Sequence, residues 1–333
     1  MIILTGTYPP ERCGVGDYTQ HLLSAHNSGS WTLLYLKRWR WCDLKHNMAQ
    51  LRRYTDINLN MQYPTMGYGV SLVPHVLAVY AVLFLHKKLY ITVHEYSQLG
   101  WKGKAALNLL FLFAKDVIFT TSFEYDCARH HNPWMRKGKV VKIRSNIPAA
   151  TVKPMANRNW DLGYFGYIRP LKGIEDFISV AERLRQQGKR VYVMGQVQPE
   201  FTSFHQPLLR ELEQKGITYF GNKSQKEVAE MLADTKIMYL SYPDGLSERR
   251  GSFLAAVTNG AAVVSTNGAF TSQRQKEYFP LIPAVEAFAK ICVWLEDNRW
   301  LEKQQQNSLE YAQSDIPKSW EQIVEDYRRI IHD

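Results

Sequence analysis

The sequence has little of what marks secreted, metal-held or membrane-spanning chains. Its four cysteines, at positions 13, 42, 127 and 292, form no Cys-x-x-Cys pair, so neither a disulfide scaffold nor a zinc module of paired cysteines is expected. Cys127-Ala128-Arg129-His130-His131 has metal-ligating residue types but no second ligand cluster to accompany it, and reads as a helix end. The apolar stretch over residues 70–85 is 16 residues long and carries Pro74 and His75. A bilayer crossing needs roughly 20 residues, so the stretch reads as a buried segment. The N-terminus, Met1-Ile2-Ile3-Leu4-Thr5-Gly6, lacks the charged flank and apolar core of a signal peptide, and a reducing cytoplasm is the expected compartment. There is no low-complexity tract, internal repeat or block of like charge, which excludes disorder.

What is present is a globular composition, 45% hydrophobic and 22% charged, over 333 residues. That length exceeds what one hydrophobic core usually serves, so two domains are expected. The net charge of +10 is unevenly placed: the first 150 residues hold 18 Lys and Arg against 8 Asp and Glu, and the rest hold 23 of each. Such asymmetry suits an anionic partner for the first half, whether nucleic acid, a phosphorylated substrate or an acidic lipid surface. Its basic residues interleave with aromatics at Lys37-Arg38-Trp39-Arg40-Trp41 and recur at Arg52-Arg53, Trp101-Lys102-Gly103-Lys104 and Arg136-Lys137-Gly138-Lys139. A solvated basic face without a partner is the plainer alternative.

Short apolar runs alternate with helix-patterned stretches. Strands are expected at 2–4, 32–36, 89–93 and 117–120, with helices at 17–25, 70–86 and 103–114. A Pro- and Asn-containing linker follows over 145–159. A second series then begins, with strands at 162–165, 191–194, 218–220, 237–240 and 262–264 and helices at 173–187, 205–215, 225–233 and 252–259. This alternation predicts an α/β protein of two doubly wound parallel sheets, an N-terminal domain over 1–150 and a C-terminal one over 151–315. Ligands of such sheets bind at the carboxyl ends of strands, which predicts a cleft between two facing domains. The segment 316–333, with Trp320, Ile323, Val324, Tyr327 and Ile331 at helical spacing, is expected to form a helix that packs back.

Four segments carry candidate chemistry. Gly14-Val15-Gly16-Asp17 is a glycine turn between the first strand and helix, where backbone N–H groups can approach an anion or acceptor. It lacks the full dinucleotide fingerprint and the Lys-Ser/Thr of a P-loop. His94-Glu95 stands at the carboxyl end of a strand, where an imidazole can donate to a ligand oxygen. Gly166-Tyr167-Ile168-Arg169-Pro170-Leu171-Lys172-Gly173 opens the second series with two cations on a turn, a fit for a diphosphate. Tyr242 to Ala256 includes Glu248, Arg249, Arg250, Ser252, Phe253 and Leu254, and leads into a helix whose first N–H groups can bind phosphate oxygens. A surface ion cluster is the alternative for this last group.

In the order of these motifs the chain resembles the family-four glycosyltransferases of the GT-B fold over nearly its whole length. The likeness is carried by Cys13-Gly14-Val15-Gly16-Asp17-Tyr18, Ser145-Asn146-Ile147-Pro148, Phe165 to Gly173, Tyr219-Phe220-Gly221 and Gly260-Ala261-Ala262-Val263-Val264. The resemblance implies two Rossmann-like domains and a retaining transfer from a nucleoside diphosphate sugar, UDP- or GDP-linked, to a saccharide or lipid-linked acceptor. The donor would sit in the C-terminal domain and the acceptor on the N-terminal one. It also implies that Arg169 and Lys172 hold the diphosphate and that His94 lies near the transferred sugar; Asn222, Arg249, Arg250, Ser252, Phe253 and Leu254 are the expected donor-binding residues beside them. The chain departs from the family pattern at Tyr167, where an arginine is usual. It departs again at Ser247 and Ala255, where paired glutamates are usual. Glu248, one residue off, would act in place of the first.

The expected function is therefore glycosyl transfer in polysaccharide or glycolipid assembly, with cations and helix N–H groups stabilising the departing diphosphate. No Asp-x-Asp segment appears, so neither metal nor other cofactor is expected. A sugar-nucleotide epimerase or phosphorylase of the same fold is the alternative within enzymes, and a basic nucleic-acid-binding protein the alternative outside them. No nucleic-acid-binding motif supports the latter, so no nucleic-acid partner is expected. An anionic membrane surface is, through the charge of the basic first half and Trp39, Trp41 and Trp101 exposed at the interface.

Overall fold

A computed structural model describes residues 1–11, 13–26, 29–132, 135, 138–197 and 201–332. Arg136 and Lys137, part of the basic cluster noted above, lie outside the described residues. Two compact units emerge, Met1–Ile143 with Pro317–Asp333, and Arg144–Ile316. The chain thus leaves the first unit ahead of the boundary expected at residue 150 and returns to it for the last helix.

The first unit runs β1 (Ile2–Thr5), α1 (Gly14–Ala25), β2 (Thr32–Tyr35), α2 (Leu44–Leu51), β3 (Asn58–Tyr63), α3 (Val73–Leu85), β4 (Lys88–Val93), α4 (Trp101–Phe111), β5 (Ala114–Phe119), α5 (Ser122–His131) and β6 (Gly138–Val140). Its six-stranded sheet has the order β2-β1-β3-β4-β5-β6, and every pairing is parallel. Strand β3 lies in the middle, in register with β4 from Asn58 opposite Lys88 to Tyr63 opposite Val93. Alternation splits its side chains between faces. Leu59, Met61 and Tyr63 join the apolar core that includes Leu77, Ala78 and Leu107 of α3 and α4. Asn60 and Gln62 therefore point to the opposite face, whose core is Ile3, Tyr90 and Ile118 with Tyr18 and Leu22 of α1 and residues 323–331 of the C-terminal helix.

The second unit runs β7 (Trp160–Phe165), α6 (Ile174–Gln186), β8 (Val191–Met194), α7 (Thr202–Gln214), β9 (Thr218–Phe220), α8 (Gln225–Ala233), β10 (Thr235–Leu240), α9 (Gly251–Thr258), β11 (Ala262–Ser265), α10 (Gln273–Tyr278), α11 (Ala284–Glu296) and α12 (Asn298–Asp315). Helix α13 (Trp320–His332) belongs to the first unit. The second sheet has the order β11-β10-β7-β8-β9, again parallel throughout. Helix α6 shows why the sequence folds this way: Ile174, Phe177, Ile178, Ala181 and Leu184 recur at three- and four-residue spacing and are all buried. Glu175 and Asp176 in its first turn and Arg183 and Arg185 in its last complement the helix dipole. Truncating the fully buried Phe177 to alanine would cost roughly 3–5 kcal/mol.

Candidate functional site

In the second unit the sequence brings two turns together at the carboxyl ends of β7 and β10. Gly173 has φ +74°, and a Cβ there would lie 1.6 Å from the Ser241 carbonyl oxygen. Only glycine permits that approach, and the Ser241 hydroxyl seals it by donating to the Gly173 carbonyl at 2.6 Å. The turn 166–173 is thereby fixed against the loop that follows β10. Leu171, exposed and left-handed at φ +61°, shows the strain this turn accepts beside Lys172.

The result is a concentration of positive charge. Burial first, and then the charges of Arg250, Arg169 and Arg249, lower the Lys172 ammonium to about 8 against the pull of Asp244. Among the described residues that ammonium has no hydrogen bond or ion pair. Arg250 pairs with Asp244 and lies over the Tyr242 ring, 4.6 Å from its centroid, while its Nε is buried without a partner. The Ser247 hydroxyl is likewise buried and unpaired. Arg249 sits over Phe270 at 5.1 Å. A buried guanidinium N–H and a hydroxyl left unsatisfied are costly unless something polar completes them.

Helix α9 begins at Gly251, with Arg250 as its N-cap. This revises the expectation that the amides of Ser252, Phe253 and Leu254 are all open to phosphate. The Leu254 N–H donates to the Arg250 carbonyl at 2.9 Å and is not open. The Tyr242 hydroxyl meets Ser252 Oγ at 2.6 Å, and burial pushes it up to about 12. The N–H groups without an acceptor inside the helix are those of Gly251, Ser252 and Phe253. Glu248 is buried, and its charge reaches the Tyr311 hydroxyl of α12, which burial chiefly, and Glu248 next, push well up. Asn222 is exposed and left-handed at φ +52°, just before Ser224, which caps α8 reciprocally with Glu227.

In the first unit, α1 starts at Gly14, with the Asp17 N–H donating to the Cys13 carbonyl at 2.9 Å. A Cβ on Gly16 would stand 3.2 Å from the Thr7 carbonyl oxygen, so glycine lets α1 start close to the end of β1. Burial raises the Asp17 carboxyl, His21 opposing it. His94 follows β4, its N–H donating to the Tyr63 carbonyl at 2.8 Å. Its ring is edge-on to Tyr18 at 5.0 Å, and Nε2 lies 2.9 Å from Gln62 Oε1. Burial lowers it to about 3, so it is a neutral imidazole with one nitrogen already engaged. Gln62 and Asn60 were given no role from sequence, and Tyr327 only that of packing the C-terminal helix. The alternation of Asn58, Asn60 and Gln62 with Leu59, Met61 and Tyr63 was the signal that could have found β3.

Other expectations resolve locally. Trp39, grouped from sequence with the exposed aromatics, is 4% exposed and donates through Nε1 to the Leu36 carbonyl at 2.8 Å. Trp41 and Trp101 are 63% and 76% exposed. The 70–85 stretch forms α3, whose inner face is buried, while Val70, Leu72, Leu83 and Phe84 are exposed. Among the described residues no helix is long and apolar enough to cross a membrane. Helix α5 does end at His131, which bonds back to the Cys127 carbonyl at 2.9 Å. No group of three or more His, Cys, Asp or Glu among the described residues is placed to hold a metal.

Two parallel α/β units of this topology in one chain define the GT-B fold, and solved structures share it. The chain superposes on HepE from Anabaena in complex with UDP at a TM-score of 0.77, with 12% identity over 99% of each chain. It matches a glycosyltransferase from Rickettsia africae at 0.71, with 13% identity over 100% of this chain and 99% of that one. Sucrose-phosphate synthase from Thermosynechococcus elongatus matches at 0.70, with 14% identity over 99% and 98%. Neither a protein-family model nor a curated protein matches the sequence.

Proposed function

We propose that the protein is a glycosyltransferase that moves a sugar from a nucleoside diphosphate sugar, UDP- or GDP-linked, onto a saccharide or lipid-linked acceptor, with retention, in polysaccharide or glycolipid assembly. The observation that carries the reading is the unpaired Lys172 ammonium among Arg169, Arg249 and Arg250, with the buried, unsatisfied Arg250 Nε. A diphosphate leaving group gains negative charge as the glycosidic bond breaks, and fixed cations with the Gly251 and Ser252 amides stabilise that charge without reorganising. These groups supply the neutralisation without a metal ion. The HepE structure contains UDP, which makes uridine diphosphate the first nucleotide to test.

In this reading Glu248 accepts from donor-sugar hydroxyls, Asn222 borders the donor, and the loop at Gly14, Val15, Gly16 and Asp17 meets the acceptor or phosphate. His94 stands near the transferred sugar. The exposed Trp41, Trp101 and Phe84, on the unit that carries the basic excess, support attachment to an anionic membrane bearing a lipid-linked acceptor. The test is incubation with a panel of nucleoside diphosphate sugars, with and without saccharide or lipid acceptors. Acceptor-dependent release of the diphosphate supports the reading, and acceptor-independent conversion of the donor turns it to an epimerase.

A further inference from the structure

The face of the first sheet beneath α1 and α13 carries a buried polar row where an apolar core is the norm. Asn60, Gln62 and Thr92 are each 0% exposed, as is Tyr327 of α13, and Tyr18 is 5% exposed. Groups so buried must satisfy one another, and here the donors and acceptors close into one assignment. The Tyr18 hydroxyl donates to the Tyr327 hydroxyl at 3.1 Å. Tyr327 lies 2.9 Å from Thr92 Oγ1, and with its oxygen accepting from Tyr18, its own hydrogen goes to Thr92. Thr92 Oγ1 donates to Asn60 Oδ1 at 3.2 Å and receives Asn60 Nδ2 at 3.0 Å. The amide nitrogen of Gln62 donates to Asn60 Oδ1 at 2.5 Å, which ties Gln62 through Asn60 and Thr92 to Tyr327. With the nitrogen turned to Asn60, the amide oxygen is what faces His94 Nε2, at 2.9 Å.

That oxygen is an acceptor only, so His94 carries its hydrogen on Nε2 and leaves Nδ1 with a free lone pair. We propose that Tyr327, with Gln62, is a positioning residue that fixes His94 as the Nε2-protonated neutral tautomer, making its remaining nitrogen an acceptor for a ligand hydroxyl. The C-terminal helix thereby sets the chemistry of a residue more than two hundred positions earlier in sequence. This reverses the donor role expected for His94 from its place after a strand. The tautomer follows from the hydrogen bonds alone; its consequence for turnover rests on the glycosyltransferase reading.

The test is a two-bond proton–nitrogen NMR spectrum of the full chain labelled with 15N-histidine, the His94 signals being assigned by their loss in His94→Gln. Wild type is expected to show one Nε2–H tautomer at neutral pH. Tyr327→Phe and, separately, Gln62→Leu, each checked for folding by its melt, should show mixed tautomers. With any donor that wild type turns over, Tyr327→Phe should lower kcat roughly tenfold or more, with KM for the donor within about twofold, as expected of a misaligned rather than absent group. An Nδ1–H tautomer in wild type, which needs no variant, overturns the proposal. So does an unchanged His94 tautomer in both folded variants. If no sugar nucleotide is turned over, the functional reading fails while the spectrum still decides the tautomer.

Discussion

The guanidinium of Arg250 bears on Lys172: after burial, it is the strongest influence holding that ammonium down to about 8. An anion bound there restores the charge that burial and three arginines oppose, so binding favours the protonated lysine. Affinity for a nucleoside diphosphate should be level below pH 8 and fall as pH rises through and beyond it. Lys172→Arg, whose charge does not titrate in this range, should bind with no such fall. Calorimetry from pH 7 to 9.5 checks both, and a level profile in wild type counts against Lys172 as a phosphate ligand.

Glu248 separates binding from transfer. Placed on the donor sugar and not on its diphosphate, it predicts that Glu248→Gln leaves the affinity for free nucleoside diphosphate within about twofold. Turnover of the sugar nucleotide should fall tenfold or more, roughly 1.4 kcal/mol or above. Equal losses in both measurements would assign Glu248 to nucleotide binding or to folding.

Chelation tests how the diphosphate charge is met. With Arg169, Lys172, Arg249 and Arg250 as the neutralising groups, excess EDTA should leave the initial transfer rate unchanged. A loss that magnesium or manganese restores would show that these side chains are insufficient.

Membrane attachment has a residue-level signature. Binding to vesicles rich in anionic lipid should weaken with salt, since each basic side chain near the surface contributes about 1 kcal/mol that ions screen. Trp41→Ala and Trp101→Ala should each reduce binding, because both rings are exposed. Equal sedimentation with neutral and anionic vesicles at low salt would remove the lipid surface as a partner.

Much of this fold was legible because most strands are continuous apolar runs, as parallel sheets buried on both faces require. Ile2-Ile3-Leu4, Val191 to Met194 and Ala262-Val263-Val264 are of this kind, and each is a strand. β3 escaped because Asn58, Asn60 and Gln62 interrupt the run. Of the polar residues that hid a central strand, Gln62 bonds to His94 and Asn60 to Thr92, which in turn meets Tyr327, partners brought together only by tertiary structure. Trp39 was misread for a related reason: its basic neighbours are exposed, and local charge says nothing of where an indole between them points. At α9, the sequence marked a helix start but not Arg250 as its N-cap, whose carbonyl takes the Leu254 amide, a placement set by the path of the loop after β10.

The basic turn 166–173 and the start of α9 form the proposed nucleoside diphosphate site. Titrating UDP, and then GDP, into wild type and Lys172→Ala by calorimetry at neutral pH tests it most directly. At least one of them should bind wild type, and Lys172→Ala should weaken it by roughly 1.5 to 3 kcal/mol, the worth of a charge-assisted hydrogen bond. A Lys172→Ala protein that melts like wild type and binds the nucleotide with undiminished affinity would contradict it.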